Sequence, residues 1–189
     1  DSSGQFVGLC FSWEAALGYY VPFPAVRKEA EAIVAEFAEL LADETTQKVG
    51  QNIKYDLTML ERYGAPVGGK LLDTMVMHYL LHPDKRHKMD LLSEEYLNYI
   101  PVAIETLIGK GKKQLTMRAV PVDKVVGYAC EAADITLRLY HALEPELEEE
   151  GLVELYETIE APLIPVLKNI ELTGVKLNVP FLEDYSKVL

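Results

Sequence analysis

The run Gln47-Lys48-Val49-Gly50 has β-forming character and leads through Gln51-Asn52-Ile53-Lys54 into Tyr55 to Tyr63, where the apolar residues fall at helical spacing. A strand that turns directly into a helix constrains the fold strongly, because it needs a sheet on one side and a packed helix on the other. The junction also carries the amides of Gln51 and Asn52, the phenol of Tyr55 and the carboxylate of Asp56. Polar side chains gathered at a rigid sheet end can converge on a ligand. Taken alone the junction has two readings. Either Asn52 caps the helix and Asp56 favours its positive end, or the same groups form a site.

The surrounding elements alternate in the same way. Gln5 to Ser12 and Gly18 to Phe23 are short and rich in β-formers, with Trp13 to Leu17 as the turn of an antiparallel hairpin. Val26 to Asp43 places Ala30, Ile33, Val34, Phe37, Leu40 and Leu41 on one face, which predicts an amphipathic helix. Gly68-Gly69 turns the chain into a strand at Lys70 to Asp73, followed by a helix over Thr74 to Leu81. A loop at His82 to Met89 precedes a helix over Asp90 to Leu97. Val122 to Glu144 returns to helical spacing, and Pro145 with the acidic run to Gly151 predicts a break. A last helix, Leu152 to Leu172, stops at Thr173-Gly174. The result is one α/β domain, residues 1–150, and a helical extension, residues 151–189.

Composition narrows the functions. The net charge of −12 argues against broad electrostatic adhesion to nucleic acid, although a small site could still engage phosphates through metal ions. No apolar run is long enough to span a membrane and no signal-peptide pattern opens the chain, so no membrane partner and a cytoplasmic (bacterial) location are expected. Cys10 and Cys130 lack metal-ligand spacing and read as buried free thiols. His82 and His87 read as residues of a solvated, charged loop rather than ligands, since no cysteine partner accompanies them. The acidic helix residues read as a solvated face, and a protein-binding face rests on charge alone.

Five separated segments change the weight of the first junction. Gly50-Gln51-Asn52-Ile53-Lys54-Tyr55-Asp56, Leu72-Asp73-Thr74-Met75, Arg86-His87-Lys88-Met89-Asp90, Gly109-Lys110-Gly111-Lys112 and Tyr128-Ala129-Cys130-Glu131 occur in one order along the chain. Together they resemble the 3′→5′ proofreading exonuclease domain of the family A DNA polymerases, the bacterial DNA polymerase I family. The likeness runs from about Phe6 to the end, with Ile159 to Val175 resembling the passage into the polymerase domain. It implies a ribonuclease-H-like fold: a mixed five-stranded sheet flanked by helices. It also implies two divalent ions, Mg²⁺ or Mn²⁺, held by four carboxylates that activate a water and stabilise the leaving oxygen.

Carried over by position, Asp56 matches a metal ligand, and Gln51 and Asn52 match substrate-groove residues. Tyr128 matches the catalytic tyrosine that orients water, and Arg86 a basic residue near the single-stranded 3′ end of DNA. Two departures stand out. The family pattern Tyr-x-x-x-Asp has Ala132 in its last place. Glu131 and Asp134 lie about 100° and 200° around the helix from Ala132, so neither substitutes. The first motif, Asp-x-Glu, would lie on a central strand before Gln5, while Asp1-Ser2-Ser3-Gly4 resembles the turn after it. The expectation is a sheet with a gap there, or one completed by another segment. The expected function is a DNA polymerase I fragment carrying the proofreading exonuclease, with the rest of the polymerase as partner and little or no activity in this chain. The alternative is a degenerate exonuclease fold with a structural or DNA-positioning role.

Overall fold

The computed structural model describes residues 5–188, and nothing is described of the Lys113 side chain. The expected turn at residues 1–4 lies outside the described residues. Strands β1 (Gly8–Glu14) and β2 (Leu17–Pro22) pair antiparallel, with Cys10 opposite Tyr20. The turn is tighter than Trp13 to Leu17: Trp13 stays in the strand and only Ala15-Ala16 reverse the chain, Ala16 at φ 64°. Aromatic stacking of Trp13 on Tyr19, ring centroids 4.5 Å apart, rewards the longer strand.

The helix expected over Val26 to Asp43 is two helices, α1 (Arg27–Ala35) and α2 (Ala38–Ala42), parted at Glu36-Phe37. The break lets Phe37 stack on Phe11, centroids 5.2 Å apart, while Leu40 turns out to solvent. Strands β3 (Lys48–Gly50) and β4 (Leu71–Asp73) pair in parallel, with α3 (Ile53–Arg62) as the crossover. Gly50 is required here, because a Cβ on it would lie 2.8 Å from Ile53 Cβ. Helices α4 (Thr74–Leu81) and α5 (Met89–Leu97) follow as the spacing predicts, and a short α6 (Glu105–Ile108) precedes 3-10 turns at Gly111–Lys113 and Met117–Ala119.

Helix α7 (Val122–Glu149) packs on β1, β2 and β3 and on α4 and α5. It lies against both sheets. Its buried stripe gathers Ile135, Leu139, Leu143 and Leu147, which recur every fourth residue, with Val125 and Tyr140 also buried. Pro145 does not end it. The proline faces solvent, so the missing bond to the His141 carbonyl falls on a wet face while Leu143 and Leu147 keep packing. The last helical segment is α8 (Val153–Leu155), a π-helical turn (Tyr156–Glu160) and α9 (Ala161–Thr173), followed by α10 (Val179–Tyr185).

The described residues thus supply four strands in two separate pairs rather than one five-stranded sheet. The gap alternative is the arrangement seen. One core cluster gathers Leu72, Met77 and Leu92 with the α7 stripe and Tyr156; a second joins Phe23, Val34, Met59, Leu60 and Tyr63. No helix among the described residues is long and apolar enough to cross a membrane.

Candidate active site

The β3–α3 junction sets the site. Asn52 occupies the helix N-cap, but in the left-handed conformation (φ 60°, ψ 49°) and with no capping bond from its side chain. The cap comes from elsewhere. Asp73, at the end of β4, accepts the Asn52 amide on Oδ1 and the Ile53 amide on Oδ2, both at 2.9 Å. Oδ1 also accepts the Met75 amide at 2.9 Å, so one carboxylate caps α3 and α4 together. Sequence reading missed this role of Asp73, although its place before Thr74 is that of an N-cap.

Asp56 stands in the first turn of α3 with solvent access. Desolvation by the surrounding protein, then the charge of Asp73, pushes its carboxyl up to about 7. Cys10, exposed rather than buried, is a neighbour of this group. Desolvation by the surrounding protein, then Asp56, then Cys130 push its thiol up to about 11, despite an opposing backbone hydrogen bond. Tyr128, half-buried on α7, is raised first by desolvation, then by Glu105, Glu131 and Cys10. Cys10 is therefore an electrostatic neighbour of both Asp56 and Tyr128.

The expected site residues divide by whether their polar groups are spent. Gln51 is spent: its amide donates to the His87 carbonyl at 2.7 Å and its oxygen accepts from Thr74. The Asn52 side-chain amide, Asp56 carboxylate, Arg86 guanidinium and Tyr128 hydroxyl make no hydrogen bond to another described residue. Gln51 instead ties the Arg86–His87 loop to the start of α3. That loop is less solvated than its composition suggests, because His87 Nδ1 meets Nδ1 of the buried His78 at 2.7 Å. The carboxylates near Ala132 are also occupied. Glu131 accepts from the Tyr99 hydroxyl at 2.6 Å and the Val102 amide at 2.9 Å, and Asp134 accepts from the Ala16 amide at 2.6 Å.

A family model described as 3′-5′ exonuclease matches residues 2–148. The chain is 40% identical over 148 residues to DNA polymerase I of Rhizobium leguminosarum, covering 78% of this chain and 14% of that protein. It is 35% identical to DNA polymerase I of Pseudomonas aeruginosa, covering 98% of this chain and 21% of that protein. The chain belongs to the 3′→5′ exonuclease domain family of DNA polymerase I. It spans about a fifth or less of those relatives. Among solved structures, Brucella melitensis NrnC matches with a TM-score of 0.67 at 21% identity, covering 83% of this chain and 71% of that one. The POL domain of Pol1 from M. smegmatis, in complex with DNA primer-template and dNTP, matches at 0.68 and 24% identity, covering 88% and 25%. These likenesses carry the fold, which is ribonuclease-H-like.

The exonuclease family is metal-dependent, and one solved neighbour is NrnC with bound Mg²⁺. The donor set here does not fit a two-metal centre. Among the described residues no group of three histidine, cysteine, aspartate or glutamate side chains could hold an ion. Asp73 is 1% exposed, with both oxygens turned to backbone amides, whereas the Asp56 carboxylate is exposed.

Proposed function

We propose that residues 1–150 are the exonuclease-like unit of a DNA polymerase I, that residues 151–189 are the helical link and start of its polymerase domain, and that the site engages the single-stranded 3′ end of DNA. The observation that carries this is the β3–α3 junction, where Asp56 and Asn52 keep unspent polar groups beside exposed Tyr55. Arg86, held near that junction by the Gln51 to His87 bond, supplies a cation for a backbone phosphate. Tyr128 stays protonated at neutral pH and can offer its hydroxyl to orient a water. Gln51 acts as a tether for this arrangement. The family's hydrolysis relies on divalent ions, and among the described residues no group of three acidic, histidine or cysteine side chains could hold one, so hydrolysis by this chain should be weak or absent.

The test is incubation with 3′-labelled single-stranded DNA and Mg²⁺ or Mn²⁺. No mononucleotide release is expected, and robust release that persists in Asp56→Ala would overturn both the inactivity and the site. A second reading, a degenerate fold that only positions DNA within the polymerase, is favoured by Ala132 in the ligand position. The two part on end recognition. Tighter binding of oligonucleotides with a free 3′-hydroxyl than of 3′-phosphorylated ones supports a nuclease site, and equal binding supports the positioning role.

A further inference from the structure

Asp73 makes one more contact. Its own amide donates to the Tyr156 hydroxyl at 2.7 Å, and that hydroxyl lies 3.4 Å from the Leu71 carbonyl, so it accepts from one end of β4 and donates toward the other. Both residues are sealed from water, Asp73 at 1% and Tyr156 at 2% exposure. Tyr156 opens the π-helical turn Tyr156–Glu160, which lies beyond the residues 2–148 matched by the exonuclease family. A π turn widens the helix locally and redirects its side chains. Here it accompanies a tyrosine that enters the core cluster shared with Leu72 and Leu139.

We infer that Asp73 is a positioning residue that fixes the Asn52–Asp56 backbone, and that Tyr156 holds Asp73 in place from the following helical segment. Left-handed Asn52 is a conformation that neighbouring structure must hold. The two Asp73 oxygens provide that hold by taking the Asn52 and Ile53 amides. Ile53 is the first residue of α3, so a tilt of the first turn moves Asp56 directly. Tyr156 fixes where the carboxylate sits by pinning the Asp73 backbone. The support of the site therefore includes a residue outside the matched nuclease region. This rests on the proposed function only in taking Asn52 to Asp56 as the site.

The test is amide hydrogen exchange by NMR on the whole chain without DNA or metal. Tyr156→Phe should speed exchange at Asp73, Asn52 and Ile53 by about tenfold and shift the Asn52 Cα signal from its left-handed position, with Ile135 and Leu139 amides unchanged. Asp73→Asn, which keeps one carbonyl oxygen, should preserve protection of one of the Asn52 and Ile53 amides and lose the other. Unchanged exchange at Asn52 and Ile53 in both variants, or an equal rise throughout α7, would overturn the inference. A separate arm measures affinity for a 5′-fluorescein-labelled oligothymidylate of about ten residues. Tyr156→Phe should weaken it at least threefold, whereas Glu157→Gln, which removes the neighbouring ion pair to Lys70, should not. Equal affinities of Tyr156→Phe and the unsubstituted chain would count against the positioning role. If the unsubstituted chain binds no oligonucleotide, the proposed function falls and the exchange result decides the positioning role by itself.

Discussion

Asp134 Oδ1 accepts a hydrogen bond from the Ala16 amide at 2.6 Å, joining α7 to the turn of the β1–β2 hairpin across 118 residues of sequence. Its other oxygen is 3.5 Å from Arg138 Nη1. The carboxylate nearest to Ala132 on its C-terminal side is thereby committed to architecture. It braces a turn in which Ala16, a residue with a Cβ, adopts φ 64°. Asp134→Ala should destabilise the chain by about 1–2 kcal/mol, the range for a partly exposed hydrogen bond to a charged group. Chemical denaturation checks this, and oligonucleotide affinity should not change.

Ala16→Gly should act in the opposite direction. Glycine adopts positive φ without the Cβ penalty, so a gain of about 0.5–1 kcal/mol is expected, read as a higher denaturation midpoint.

Ala132→Asp places a carboxylate one helical turn after Tyr128. With Asp56 it would form a pair of hard oxygen donors, and Mn²⁺ affinity should rise at least tenfold by calorimetry or electron paramagnetic resonance. No gain would mean that the α7 and α3 positions do not face a common point.

His78 predicts an acid-side loss of stability. Burial, then His87 and His82, push its imidazole down to about 4, with Glu95 opposing and Lys85 assisting. A histidine depressed in the folded state binds fewer protons than the unfolded chain between about pH 6.5 and 4. Its contribution is therefore full above pH 6.5, falls as pH drops through that window, and is flat below 4. The loss should be of order 2 kcal/mol by urea denaturation. His78→Gln, uncharged throughout, should flatten this part of the profile.

The contact of α9 with α3 separates burial from charge. Ile164, 5% exposed, packs on Ile53 and Leu57, while Lys54–Glu171 and Lys168–Glu61 pair at the surface. Ile164→Ala should cost about 2–4 kcal/mol, and Glu171→Gln less than about 0.5 kcal/mol. Comparable losses in thermal denaturation would show the ion pairs to be stronger than surface pairs ordinarily are.

Local pattern was informative where one face of an element is dry. The succession of β3, α3 and β4 and the helices at Thr74 and Asp90 follow from periodicity, because apolar spacing reports directly which face is buried. It failed where a distant contact outweighed a local signal. The helix expected through Phe37 is broken, Pro145 is carried inside α7, and Cys10 is exposed on β1 although its neighbours are apolar. For Phe37 the distant contact is the stack on Phe11, and for Pro145 it is the burial of Leu143 and Leu147 on the opposite face.

The sequence by itself determined the family, the order of elements, the junction bearing Asp56, and the replacement of an expected carboxylate by Ala132. Only the tertiary structure decided which polar groups remain free. Gln51, Asp73, Glu131 and Asp134 are all plausible ligands by residue type, and each is consumed by a hydrogen bond to a residue at least 20 positions away. A buried or half-buried polar atom must find a partner, and which partner it finds depends on how the elements pack rather than on the residues beside it in the chain.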